Sequence, residues 1–214
     1  PEIDPANFTT KIDNPFLPLM PGMRWMYEGE ADGVKQVNTV VVTSDTKALM
    51  GVTCVAVHDT VEEQGDVTED TIDWYAQDTD GNVWYFGEDT KELTKGKVTS
   101  TEGSWQAGKD GAQPGIAMQA KPKPNGSYRQ EYLAGEAEDM AKVIKRGARV
   151  SVPFGTYTDV LVTEEWTPLE PGVRERKYYA QEVGMISSKI TKGGDEHFEL
   201  TTFESGKATP EASR

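Results

Sequence analysis

The chain has little from which to build a reactive centre. Of its 214 residues, one is cysteine and two are histidine. A single thiol, Cys54, closes no intramolecular disulfide and leaves the redox compartment open; lying among apolar residues, it reads as a small core side chain. Two imidazoles, His58 and His197, beside one thiol argue against any Cys/His metal centre within one chain. The Gly-x-Ser-x-Gly elbow, the phosphate-binding glycine loop and the His-Glu-x-x-His motif are all missing, so the sequence implies no cofactor and no metal. Long apolar runs are missing too. The stretches Val40 to Val42 and Cys54 to Val57 fall far short of the roughly 20 residues a spanning helix needs. Basic excess is absent: the net charge of −14 and pI of about 4.6 repel phosphate backbones and anionic lipid, which argues against nucleic acid as a partner.

What the chain does have is strands. Segments rich in Val, Thr, Tyr and Trp alternate with turn chemistry such as Ala31-Asp32-Gly33, Gln64-Gly65-Asp66, Asp80-Gly81-Asn82 and Lys192-Gly193-Gly194, the rhythm of antiparallel hairpins. Five Trp, eight Tyr and six Phe supply a core despite a hydrophobic fraction of only 36%. The first 21 residues carry five prolines and no period; they form an extended arm pinned where Phe16, Leu17 and Leu19 meet apolar surface.

Laid on itself with a shift of 104 residues, the chain matches at three places: Gly22 with Gly126, Gly51 with Gly155, and Trp74-Tyr75-Ala76-Gln77 with Tyr178-Tyr179-Ala180-Gln181. Gly81 then answers to Gly184, a loop shorter by one residue. One offset at three anchors reads as a duplicated module. The expected fold is all-β: an antiparallel barrel or half-barrel of two duplicated strand modules with little helix. One domain spans 1–214, divided into the arm (1–21), a first module (22–101), a connecting loop (102–125), a second module (126–205) and a small polar tail (206–214) that frays. Residues 136–147 have a helical apolar face, but the matching 32–43 is plainly strand, so the repeat predicts a strand over 140–145. Residues 102–125 carry four glycines and three prolines; with Trp105, Ile116 and Met118 they read as a loop folded over the sheet, or as a plain linker.

Chemistry has few candidates. Cys54 and His58 share a strand face but lie roughly 13 Å apart at about 3.3 Å per residue, too far for a nucleophile and its base. His58 alone remains a candidate acid or base, beside the small Cys54 and Ala56; its counterpart at the 104 shift is Val162. A hydrogen-bonded structural histidine is the plainer reading. Asp78-Thr79-Asp80-Gly81-Asn82 has the alternating oxygens of a calcium loop, but glycine stands fourth instead of sixth, and a solvated hairpin tip fits better. Most aromatics are core. Inside a barrel, some line a pocket, and His58, Trp74, Trp84, Trp105 and Tyr132 are the candidate ligand-binding set.

Two phrases, Lys177-Tyr178-Tyr179-Ala180-Gln181-Glu182-Val183-Gly184-Met185 and Val152-Pro153-Phe154-Gly155-Thr156-Tyr157, resemble motifs of β-rich exported bacterial proteins and lipoproteins of uncharacterised function, similar in look to LolA-like or lipocalin-like open barrels. The resemblance implies an extracytoplasmic shell, periplasmic or secreted after removal of a leader, and a hydrophobic ligand; it brings no catalytic residue, and no cysteine at the start marks a lipidated end. The functional expectation is a binding protein holding a small apolar or amphipathic ligand near His58, Trp74 and Trp84 under the 102–125 loop. Two alternatives stay open: an enzyme using His58 with a carboxylate, and an acidic structural module binding calcium.

Overall fold

A computed structural model describes residues 1–206; the fraying expected for the tail falls almost wholly outside them. A 3-10 turn at Pro5–Asn7 and β1 (Phe8–Thr9) precede the first meander: β2 (Met23–Ala31), β3 (Val34–Leu49), β4 (Val52–Glu63), β5 (Asp66–Asp78) and β6 (Val83–Thr94). Short strands follow: β7 (Lys97–Ser100), β8 (Trp105–Gln106), β9 (Gln113–Met118), β10 (Ser127–Arg129) and β11 (Glu131–Tyr132). The second meander is β12 (Met140–Val152), β13 (Gly155–Trp166), β14 (Arg174–Ala180), β15 (Gly184–Lys192) and β16 (His197–Ser205). All pairings among the described residues are antiparallel, and apart from the 3-10 turn there is no helix.

The hydrogen-bonded order is β10-β12-β13-β14-β15-β16-β2-β3-β4-β5-β6-β9-β11. Its two ends are successive pieces of one segment: Ser127–Arg129 pairs with β12, and Glu131–Tyr132, one residue further on, pairs with β9. The 127–132 segment thus draws the edges together, and the sheet is a nearly closed barrel, which leaves little unpaired edge. The hairpins follow from local chemistry. Asp32-Gly33, Met50-Gly51, Gln64-Gly65 and Lys95-Gly96 all carry positive φ at both residues, the two-residue turn whose twist matches that of the strands it joins.

Alternation along the strands sorts the residues into two cores. Facing inward, Trp25, Tyr27, Val57, Leu161, Ile186 and Leu200 close one end of the barrel, and the arm enters there: Ile12, Phe16 and Leu19 are 0%, 2% and 4% exposed. Each such side chain contributes about 1.5–3 kcal/mol by leaving water. Hydrogen bonds hold the arm: the Asn14 side chain donates from Nδ2 to the Gly81 and Gln119 carbonyls, and Gln77 Oε1 accepts from the Asp13 and Asn14 backbone amides. On the opposite face, Cys54, Ala56, Trp74 and Phe86 form an outer cluster covered by Trp105, Ala107 and Ala112.

Part of the 102–125 stretch therefore does lie over the sheet, on the outside. Within the same stretch Gln113–Met118 is not loop: it joins the wall as β9, beside β6, because Gln113, Gly115 and Ile116 find backbone partners on either side, and 119–125 return to loop. Over 140–145 the chain is strand, as the repeat predicts.

The two meanders share strand order and one telling irregularity. The β5–β6 ladder shifts register between Trp74 and Tyr75, the β14–β15 ladder between Tyr178 and Tyr179, 104 residues on. The hairpins beyond these shifts differ by more than the sequence suggested. Ala76 pairs with Trp84 while Ala180 pairs with Gly184, so the second hairpin is four residues shorter and Gly81 has no counterpart in it. In β13 the offset also slides. Val57 pairs with Asp73 and Thr163 with Lys177, which puts Glu164, not Val162, at the ladder position of His58; the left-handed residue Asp159 lies upstream in β13, near a ladder irregularity.

Candidate functional site

The barrel interior is filled at one end only. Above the apolar plug lies a chamber of about 220 Å³ whose floor is Leu17, Leu19, Trp25, Val40 and Val57 and whose upper wall carries Asp59, Asp73, Tyr75 and Lys177. A side chamber of about 220 Å³ continues past Tyr85, Glu88, Glu131, Asp139 and Glu165. Towards solvent the lumen widens to a vestibule of about 690 Å³ lined by Glu63, Glu69, Glu92, Glu175 and Glu196. Lys177 borders all three spaces, and is the one cationic side chain on them among the described residues.

Strand parity explains the lining. On β4, Val57 and Asp59 point inward and His58 outward; on β5, Asp73 and Tyr75 point inward and Trp74 outward. Lys177 and Tyr179 do the same on β14. Lys177 Nζ lies 2.9 Å from Glu165 Oε2 and 3.5 Å from Glu175 Oε2. Glu165, whose side chain is 7% exposed, also accepts from Thr163 Oγ1 at 2.8 Å and Tyr179 Oη at 3.3 Å. Burial works to lower the Lys177 pKa, but Glu165 and Glu175 outweigh it and hold the ammonium well above its usual range. A lysine so fixed in its protonated form is a positioning charge and not a nucleophile.

The acids facing it are unevenly served. Burial pushes Asp59 up to about 7 against the pull of the Asn38 amide, which donates to it, and Glu69 adds to the rise. Burial, then Asp139 and Glu88, lift Glu131 to about 8, although Trp105 Nε1 donates to it at 2.8 Å. Asp73 is raised well above the carboxylate range by burial and by Asp59, with Tyr85 Oη donating at 2.6 Å. Tyr85 itself stacks on Tyr75 with centroids 4.9 Å apart. Two charges about 4 Å apart interact by roughly 4 kcal/mol at an effective dielectric near 20, so one lysine cannot neutralise this wall.

The residues singled out in the sequence lie elsewhere. His58 stands on the outer face with Nε2 2.8 Å from Asp70 Oδ1, both side chains more than a third exposed. Trp74 is buried in the outer cluster under Lys47, whose Nζ sits 3.5 Å from its ring centroid. Trp84 packs against Phe8 and donates to Asp78 Oδ2. Tyr132 lies beneath Arg129. Trp105 alone reaches the lumen wall, edge-on to Tyr85 and bonded to Glu131. Trp74, Trp84 and Trp105 thus share the outer cluster, while His58 and Tyr132 stand apart from it. The Asp78 carboxylate is occupied by Asp80 N, Asn82 N, Asn82 Nδ2 and Trp84 Nε1, the bonding of a hairpin tip. Cys54 is fully buried, and burial pushes its thiol up to about 12.

No protein-family model matches the chain, and no curated protein matches it. Among solved structures, a putative lipoprotein from Parabacteroides distasonis is similar at 12% identity with a TM-score of 0.48, covering 89% of this chain and 99% of that one. No residue role passes from it to this chain.

Proposed function

We propose that the protein is an extracytoplasmic binding protein that holds a small amphipathic ligand in the barrel lumen. The observation that carries this reading is the continuity of the lumen: an apolar chamber closed below by the arm opens through a ring of charged and phenolic groups into a wide vestibule. Ligand sites are concave, mostly apolar, and oriented by a few converging polar groups, and the chamber has that composition. The extracytoplasmic part of the proposal rests on the two phrases read in the sequence, of which Lys177 to Met185 supplies four chamber-lining residues: Lys177, Tyr179, Gly184 and Met185. Within the same reading the two meanders are copies of one unit.

The test is displacement of an environment-sensitive dye from the protein by amphiphiles, with native mass spectrometry of gently purified material. One ligand per chain, competing with the dye, supports the proposal. Dye that never binds, together with a protein that carries nothing, removes it.

A further inference from the structure

We propose that the polar end of the ligand is an organic ammonium group, seated against Asp59 and Asp73 above the apolar floor. This rests on the lumen being a binding site and adds the chemical class of what it takes.

The protein itself shows how an alkylammonium fits here. Lys177 brings a four-carbon chain and an ammonium from β14, and Glu165 and Glu175 receive it at 2.9 and 3.5 Å. On the other meander the matching ladder position is Asp73, an acid with no cation beside it: its bond is from the Tyr85 hydroxyl, and its charged neighbours are Asp59, Glu88 and Glu69. Asp59 and Asp73 lie on the same chamber as Leu17, Leu19, Val40 and Val57, so a single molecule spans both the carboxylates and the floor.

An anionic head is disfavoured on charge. The cation that would receive it is already held by two carboxylates, and any acid of the wall that ionises repels it. A neutral head gains hydrogen bonds but brings no charge to favour the ionised form of Asp59 or Asp73. Burial lifts Asp59 to about 7 and Glu131 to about 8 although Lys177 pulls both down, so the one cation on the lumen among the described residues serves them only weakly. On β10 the hydroxyl of Tyr128, a residue 91% buried beside Glu165 and Lys177, has no hydrogen-bond partner among the described residues, but Tyr128 does not line the chamber.

The experiment is isothermal titration of the full chain at pH 7.5 with octylamine, octanol and octanoate, each below its aggregation threshold. Octylamine is expected to bind about tenfold or more tighter than octanol, with octanoate weakest and with protons released on amine binding, read as a heat that changes with buffer ionisation enthalpy. Asp73→Asn is expected to weaken octylamine about tenfold and leave octanol unchanged. Asp59→Asn, on a separate strand, repeats the test should the first variant be poorly folded. Octanol or octanoate binding as tightly as octylamine would overturn the ammonium assignment and leave the lumen reading standing. Failure of all three probes would overturn both.

Discussion

Asp73 and Lys177 hold matching places in the two meanders. Each faces the lumen, each stands two residues before a tyrosine that lines the chamber, Tyr75 or Tyr179, and each ladder shifts register between the two residues that follow. One position carries an acid and its counterpart a base, and the rest of the ring is acidic. Lys177 is the one cationic side chain on the lumen among the described residues, so the facing acids depend on its charge.

Lys177→Met leaves the buried Glu165 and the half-buried Glu175 without their cation. Removing one partner of a buried pair costs about 3–5 kcal/mol; because the Lys177 side chain keeps 30% of its surface open to the lumen, the lower end applies. Thermal unfolding is expected to fall by about 6–12 °C at roughly 2–4 °C per kcal/mol for a chain of this size. Lys177→Met with Glu165→Gln should recover part of the loss. A double variant no more stable than the single would mean the cost lies in packing.

Glu131 and Asp59 make stability fall as the solution becomes more basic. Their folded pKa values, about 8 and about 7, stand above the ordinary 4.5 and 3.8, so the folded state binds more protons than the unfolded one between those limits. Stability is therefore fully present below about pH 4 and lost as pH rises through 7 to 8. Around Glu131 stand Asp139, Glu88, Trp105 and Lys177; around Asp59 stand Asn38, Glu69, His58 and Lys177. Denaturant titrations at pH 5 and pH 9 should give the higher midpoint at pH 5, and Glu131→Gln should shrink the difference. A midpoint that rises with pH contradicts this.

Gly87 holds the outer cover in place. Its φ of +135° is closed to most side chains, and a Cβ there would sit 2.3 Å from the Trp105 carbonyl oxygen. Gly87→Ala is expected to lift the Trp105–Ala112 segment off the sheet, seen as faster hydrogen exchange at Ala107, whose amide donates to the Phe86 carbonyl. Unchanged exchange would mean that the backbone moves elsewhere.

The arm acts as the floor of the chamber. Phe16→Ala empties a site 2% exposed among core residues and should cost about 3–5 kcal/mol, measured by chemical denaturation. A loss under about 1 kcal/mol would mean that the arm is not part of the cooperative unit.

Much of this fold is legible in the chain because its signals are local. Asp32-Gly33 and Gln64-Gly65 announce hairpins, Phe16 and Leu19 announce an anchored arm, and the strand at 140–145 is predicted by comparison with 32–43. The lumen is harder to read for a reason specific to barrels. A residue's face is set by the parity of its strand, and parity is invisible when both faces are partly apolar. The run Cys54-Val55-Ala56-Val57-His58-Asp59 offers two candidate inner faces; the one with His58 and small neighbours resembles a pocket, yet Trp105 and Ala112 cover it from outside, and Val55, Val57 and Asp59 point in. Acids on strands read as solvent-facing by default, which hides a lumen built from Asp59, Asp73 and Glu165. The one signal available was the placing of Asp73 and Lys177, each two residues before a tyrosine.

The most direct test of the account is to fill the chamber. Ala117 lines both the apolar chamber and the acidic side chamber, and Ala117→Phe places a ring in the ligand's path. Calorimetric titration with octylamine should give saturable one-to-one binding to the unaltered protein and none to Ala117→Phe, with circular dichroism unchanged. Equal binding by the two proteins would put the ligand outside the barrel and contradict the account.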